Sequence, residues 1–302
     1  MDGILPLWKP QGMTSHDCVF KIRKILKMKK VGHTGTLDPD VTGVLPICLG
    51  KATKVAEYIT NAGKEYVGEV TIGYSTATED ASGEVIDEKT IQKPIDRNQI
   101  IETLNSLKGE IQQTPPMYSA VKVNGKRLYE YARKGIEVER PTRAVNIYDI
   151  ELLDDRTIFT GKTISFRFRV KCSKGTYIRT LAVTIGEKLG YPAHMSFLTR
   201  ISSGSFTKDD CLTFSDIENS MEEGTLEHKI LPIERGLFYL PKLMINDTLA
   251  EKVFNGAVLP KDDTWIYGNQ EVAFIYQNQV IAIYKIHPEK PHLIKPVKVL
   301  SN

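Results

Sequence analysis

This sequence predicts an α+β fold with a small β-rich module in its C-terminal part, on three observations. Two ten-residue runs, KEYVGEVTIG from Lys64 and TISFRFRVKC from Thr163, alternate with the period of two that a half-buried strand requires. Other stretches space apolar residues by three and four, as helices do: Val19, Ile22, Ile25 and Leu26 in one, Ile100, Ile101, Leu104 and Leu107 in another. From about Leu240 the texture changes to short alternating runs such as EVAFIYQNQVIAIYKI, split by Asn, Gly and Pro, which read as a module of about sixty residues. A chain of 302 residues is long for one domain, and the change of texture divides it into 1–239 and 240–302.

With 41% hydrophobic and 25% charged residues, the composition is that of a soluble globular protein. The formal charge of +3 is too small to identify a nucleic-acid partner, so any such inference must come from where the charges lie. Cys18, Cys48, Cys172 and Cys211 are far apart and form no CxxC pair, which argues against a zinc site or a disulfide framework and for buried free thiols. The opening MDGILPLWKPQGM reaches Lys9 and Pro10 before a signal-length apolar core develops, and no run is long enough to span a bilayer. A cytoplasmic protein with no membrane partner is expected.

In chain order, residues 4–10 read as a strand entering a turn, and Thr14 or Ser15 can cap the first helix. The other face of that helix, within KIRKILKMKK, carries Lys21, Arg23, Lys24, Lys27, Lys29 and Lys30 with no acid among them. It is either a solvated face or a phosphate-contacting one. Next comes GHTGTLDPDVTGVLPICLG, residues 32–50, with four glycines, two prolines, two aspartates and a histidine in nineteen residues. That composition describes a shaped loop, followed by a helical pattern in KATKVAEYI and closed by GVLPICLG as a buried strand. Asp38 therefore sits on a turn between stiff elements. Asp before Pro is a common turn opener, so the loop is either structural or a catalytic or anion-binding one. Neither GxxxxGK[ST] nor GxGxxG occurs in it, which disfavours a phosphate cradle.

In KEYVGEVTIG, Tyr66, Gly68, Val70 and Ile72 share one face, where Tyr66 is a core aromatic by periodicity alone. An amphipathic helix from Asp96 is expected to end near Gly109. TPPMYSAVKVNGKRLYEYARKG then mixes Tyr118, Tyr129 and Tyr131 with Lys122, Lys126, Arg127, Arg133 and Lys134 around an Asn-Gly turn. This is either a nucleic-acid surface, with rings for bases and cations for phosphates, or a hairpin and helix with inward tyrosines. In CSKGTYIRTLAVTIGEKLG a glycine turn leads into a helix beginning near Tyr177, with Arg179 in its first turn.

Residues 32–54 resemble the first catalytic motif of the TruB family of tRNA pseudouridine synthases, GHTGxLDPxxTGxLPxxxGxATK, in register at Gly32, His33, Thr34, Gly35, Leu37, Asp38, Pro39, Thr42, Gly43, Leu45, Pro46, Gly50, Ala52, Thr53 and Lys54. KPQGMTS from Lys9 is similar to the family's N-terminal KPxGxTS motif, KEY to its second motif, CSKGTYIRT to its arginine motif, and AHMSFLTR to its AHxxxLRR segment with Thr199 in place of the first arginine. The resemblance implies a pseudouridine synthase fold, with a mixed, mainly antiparallel sheet flanked by helices, an RNA-gripping insertion at about 110–135 and a PUA-like RNA-binding domain at 240–302. Within that module Lys285, Lys290, Lys295 and Lys298 suit backbone contacts.

By the same resemblance Asp38 is the catalytic aspartate, kept ionised by Arg179, and Tyr66 packs on the target base. Tyr177 and Leu198 line the pocket, and His33 fills the gap in the T loop left by the departed base. The structural alternative for His33 is a histidine bonded within its own loop. The implied activity is isomerisation of uridine at position 55 in the T stem-loop of tRNA by a monomer, without metal or other cofactor. Two rival classes are a non-catalytic tRNA-binding or RNA-folding protein, and a nucleoside hydrolase using Asp38 alone. No second carboxylate in a recognisable partner motif supports the latter.

Overall fold

In the computed structural model, which describes residues 1–262 and 265–300, the chain divides into two compact units. One comprises Met1–Asp40, Val44–Asn61 and the chain from Ser203 onward; the other comprises Val41–Gly43 and Ala62–Ser202.

The first unit opens with β1 (Gly3–Lys9), almost wholly buried, and α1 (Ser15–Leu26). Thr14 caps α1: its hydroxyl accepts from the Asp17 amide, and Asp17 accepts from the Thr14 amide, a reciprocal box that satisfies two otherwise orphaned donors. Lys27 in the left-handed region ends the helix. Cys18, Val19, Ile22 and Leu26 pack with Leu5, Leu7 and Val31 in one core, with Ile25 at its margin. The basic stretch is not uniformly solvated, because the fold uses two of its six cations. Lys21 pairs with Glu218 at 3.3 Å, and Arg23 donates to the Val31 carbonyl at 2.8 Å. β2 (Val31–His33) runs antiparallel to β3 (Thr42–Leu49), pairing His33 with Ile47, and Gly50–Val55 forms a 3-10 turn leading into α2 (Ala56–Asn61).

In the second unit, β4 (Lys64–Ile72) buries the face carrying Tyr66, Gly68 and Val70. α3 (Arg97–Asn105) is capped by Asp96 and ends four residues before Gly109, which instead opens β5 (Gly109–Gln113). Then follow β6 (Arg143–Leu152), β7 (Ile164–Cys172), α4 (Ile178–Leu189) and β8 (Ala193–Ser203). The sheet order is β8-β4-β7-β6-β5, with β4, β7, β6 and β5 successively antiparallel and Thr42–Gly43 parallel to Thr199–Arg200, so the sheet is mixed and mainly antiparallel. β7 buries Ile164, Phe166, Phe168, Val170 and Cys172 and turns Arg167, Arg169 and Lys171 outward. Outside, Arg167 pairs with Glu69, and Arg169 with Glu65 and Glu151, so the exposed face is neutralised by cross-strand pairs.

The basic and aromatic stretch after β5 forms a short hairpin, Lys122–Val123 with Lys126–Arg127, followed by the helix Leu128–Ala132. The reading with inward tyrosines holds in part. The Tyr131 hydroxyl bonds inward to the Val123 carbonyl at 3.0 Å, whereas the Tyr129 ring has the guanidinium groups of Arg127 and Arg133 at 5.8 and 5.4 Å from its centre.

Back in the first unit, α5 (Phe214–Glu222) completes the α1 core. The C-terminal module contains β9 (Lys242–Met244), α6 (Asp247–Phe254), β10 (Leu259–Pro260), β11 (Val272–Tyr276), β12 (Gln279–Ile286) and β13 (Leu293–Val299). These strands form a five-stranded sheet in the order β9-β11-β12-β13-β10, with a core around Val253, Phe274 and Tyr284. Alternation anticipates the strands; α6, only eight residues long, is hidden in the sequence. Two of the module's expected phosphate-binding lysines have carboxylate partners, Lys285 with Glu271 and Lys298 with Glu57.

Candidate active site

In the first unit, Asp38 is half-buried in the irregular loop between β2 and β3, and its two neighbours are held by side chains from far along the chain. On one side, the Ser15 hydroxyl accepts from the Leu37 amide at 2.8 Å and donates to the Leu37 carbonyl at 3.3 Å. On the other, the fully buried Lys9 ammonium donates to the carbonyls of Pro10 at 2.8 Å and Pro39 at 3.0 Å, and the Gly12 amide donates to the same Pro39 carbonyl at 2.9 Å. Thr34, also fully buried, bonds the Pro46 carbonyl through its amide and its hydroxyl. Thus the residues of KPQGMTS have a mechanical task, fixing the backbone before and after Asp38. His33 lies in β2 at the entry to this loop.

Close to the loop, Gly43 adopts φ +122°, and a Cβ there would fall 2.1 Å from the Arg200 carbonyl oxygen, so no other residue fits where the chain passes β8. Arg200 itself is fully buried. The cation retained from AHxxxLRR is therefore a core residue and not an RNA contact, while Thr199 bonds the Thr42 hydroxyl at 2.8 Å.

In the second unit, Tyr66 is 7% exposed on β4, and two residues along, Gly68 leaves room for its neighbours. A Cβ on Gly68 would meet the Phe168 ring at 2.9 Å and Leu198 at 3.4 Å, which puts Leu198 on the same face of the sheet as Tyr66. Tyr177 is the N-cap of α4. Its amide donates to the Gln113 side chain at 2.9 Å, and its carbonyl accepts from that same amide group at 3.0 Å, while the Arg143 guanidinium lies 5.3 Å from its ring centre.

Arg179, in the first turn of α4, is buried rather than solvated as a lone helix-start arginine would be. Its guanidinium donates to the Thr78 carbonyl at 3.0 Å and the Tyr118 carbonyl at 2.9 Å, and faces Asp80 at 3.6 Å. Asp80 is in turn held by the Thr78 hydroxyl and by the Ser82 amide and hydroxyl. Next to it, Glu79 accepts from the Thr180 hydroxyl at 2.7 Å; burial pushes its pKa up despite that bond and the nearby Arg179 charge. Glu79 also holds φ +63°, a strained conformation for a side chain with a Cβ, and such strain gathers at functional sites. Sequence reasoning missed Asp80, Gln113 and the structural task of Ser15, because nothing in a local pattern marks a partner about twenty to a hundred residues away.

Burial also pushes the Lys64 ammonium at the start of β4 down to about 8, helped by the positive charge of Arg200. The buried thiols of Cys48 and Cys172 rise to about 12 and about 11 through desolvation, so both remain protonated and unreactive at neutral pH.

Comparison with known proteins matches this arrangement to one family. The family model for the TruB family pseudouridylate synthase N-terminal domain covers residues 23–178, and that for the tRNA pseudouridylate synthase B C-terminal domain covers residues 179–237. A protein named tRNA pseudouridine synthase B from Geobacillus thermodenitrificans is 58% identical over 300 residues, spanning 99% of each chain. Its namesake in Bacillus anthracis is 55% identical over 302 residues, spanning 100% of this chain and 98% of that one. Among solved structures, a chain of a Cbf5-Nop10-Gar1 complex matches with a TM-score of 0.74 at 32% identity, over 99% of this chain and 84% of that one. A chain of an H/ACA RNP bound to a substrate RNA containing 2'-deoxyuridine matches with a TM-score of 0.73 at 28% identity, over 99% and 85% respectively. With such identity over its length, and with the N-terminal family model covering more than half of it, the chain belongs to the TruB family of pseudouridylate synthases.

Proposed function

We propose that this protein isomerises uridine to pseudouridine in tRNA, acting as a cytoplasmic monomer on position 55 of the T stem-loop. The observation that carries the reading is the braced loop of Asp38: Ser15 on one flank and Lys9 with Gly12 on the other hold a carboxylate ready at a half-buried turn. Pre-fixed geometry of this kind is what a nucleophile or proton acceptor needs. The names of the relatives supply the substrate class.

The reaction breaks the bond between uracil N1 and the ribose C1', turns the base, and joins its C5 to C1'; the C5 proton leaves and N1 gains one, so no redox partner is consumed. Reaching the bond requires swinging the nucleotide out of its stack, at a cost of a few kcal/mol that pocket contacts offset. Asp38 either attacks the nucleotide or takes a sugar proton, and Arg179 keeps it ionised, since opposite charge nearby lowers a carboxylate pKa by about 1–3 units. Tyr66 stacks on the extruded uracil, a contact worth about 1–3 kcal/mol, and its hydroxyl is the candidate acceptor of the C5 proton. Tyr177 and Leu198 line the pocket, and His33 occupies the space vacated in the T loop. Residues 1–239 carry the chemistry, the insertion at about 110–135 grips RNA, and 240–302 serves as the PUA-like RNA-binding domain.

Incubating the enzyme with unmodified tRNA and mapping pseudouridine tests activity and position together. Asp38→Asn should abolish product while leaving tRNA affinity nearly intact. Turnover by that variant would remove Asp38 from the chemistry, and binding by wild type without product would favour the non-catalytic alternative.

A further inference from the structure

Helix α1 has a face that neither the core nor the catalytic loop uses. Its apolar side, Cys18, Val19, Ile22 and Leu26, is spent in the core. Phe20 nevertheless points outward with 66% of its surface exposed. Lys24 follows four residues later on the same side of the helix, and Lys27, in the left-handed cap that ends it, is also exposed. Lys29 and Lys30 are exposed in the turn beyond, and no acidic residue occurs from Cys18 to Leu37. Of the six cations here, Lys21 and Arg23 are engaged by Glu218 and the Val31 carbonyl, and the remaining four are exposed.

The position of this face is set by its anchor. Ser15, at the start of α1, grips Leu37 beside Asp38. At a rise of about 1.5 Å per residue, Lys24 lies about 14 Å and the helix end about 17 Å further along the axis. That reach exceeds one nucleotide.

We infer that this face of α1 and the turn after it form a second RNA-binding surface, several nucleotides from the reacting uridine. Lys24, Lys27, Lys29 and Lys30 take backbone phosphates, and Phe20 stacks on an unpaired base. The inference rests on RNA being the substrate. An anionic membrane is the poorer partner for these cations, because an interfacial helix must bury an apolar face and that of α1 already faces the core.

The test measures equilibrium binding of unmodified whole tRNA across a salt series, in the Asp38→Asn background so that binding is read apart from chemistry. A fourfold variant, with Lys24, Lys27, Lys29 and Lys30 each changed to Gln, should reduce the slope of log affinity against log salt by about 3, at roughly 0.7–0.9 per phosphate contact. Phe20→Ala should weaken binding about fivefold or more and leave the slope unchanged. In the active background both should keep the single-turnover rate at saturating tRNA. Slopes and affinities equal to wild type, in variants with unchanged unfolding midpoints, would overturn the inference. Capture by anionic vesicles that the lysines control, with an unchanged tRNA slope, would overturn it in favour of lipid. Failure of the wild type to form pseudouridine bears only on the proposed function, since the binding slopes are read without turnover.

Discussion

Ser15→Ala is the sharpest perturbation of the bracing around Asp38. Ser15 is 1% exposed, and its hydroxyl makes a good bond to the Leu37 amide at 2.8 Å and a longer one to the Leu37 carbonyl at 3.3 Å. Removing the hydroxyl opens almost no cavity but leaves a buried amide unsatisfied, which costs about 1–3 kcal/mol. The longer bond adds little, so urea denaturation should show a loss of about 2 kcal/mol. The activity effect is separate. Leu37 directly precedes Asp38, and a shift of about 1 Å at a reacting group costs about 100-fold. Because Lys9 and Gly12 still hold Pro39, the single-turnover rate at saturating tRNA should fall about 10- to 100-fold, with tRNA affinity little changed. Thr14→Ala is the control: losing the α1 cap costs about 0.5–2 kcal/mol at the neighbouring residue without touching Leu37, and should leave the rate intact. If Ser15→Ala destabilises like Thr14→Ala and reacts at the wild-type rate, the bond to Leu37 serves folding only and the positioning role is refuted.

Asp80→Asn retains a side chain able to accept from Thr78 and Ser82 but removes the charge facing Arg179, so the rate should drop about tenfold or more with binding preserved; an unaltered rate would make Asp80 a loop residue only. Tyr66→Phe keeps the ring, so affinity should persist while the rate falls, and equal rates for Phe and wild type would remove the proton-transfer role. Lys64 gives a pH signature. Its folded pKa of about 8 lies below its unfolded value of 10.5, so the folded state carries the burial penalty fully below pH 8. Between about 8 and about 10.5 the unfolded chain keeps the proton and the folded one does not, so this lysine's contribution to stability rises with pH, by up to about 3 kcal/mol. The difference in unfolding free energy between wild type and Lys64→Met should follow that rise; a flat difference over the interval would show that the buried ammonium is not destabilised.

Much of the architecture was legible because periodicity is a local property of the backbone. The alternation of β4 and β7, the cap at Thr14, the strand after the Asp38 loop and the start of α4 at Tyr177 all lie where the residue pattern puts them. Where the pattern was short or ambiguous it failed: α3 stops before Gly109, and α6 hides in a β-rich stretch.

Which residue types stand in which motif, and hence the family and its chemistry, can be read from the chain alone. The partners of those residues emerge only on folding: Ser15 and Lys9 reach 22 and 30 residues to hold Leu37 and Pro39, Arg179 is buried against carbonyls 101 and 61 residues away, and Arg200 belongs to the core. The reason is that a side chain's hydrogen bonds and burial depend on what the sheet order brings beside it, and that order follows from the packing of the whole chain rather than from any stretch of it.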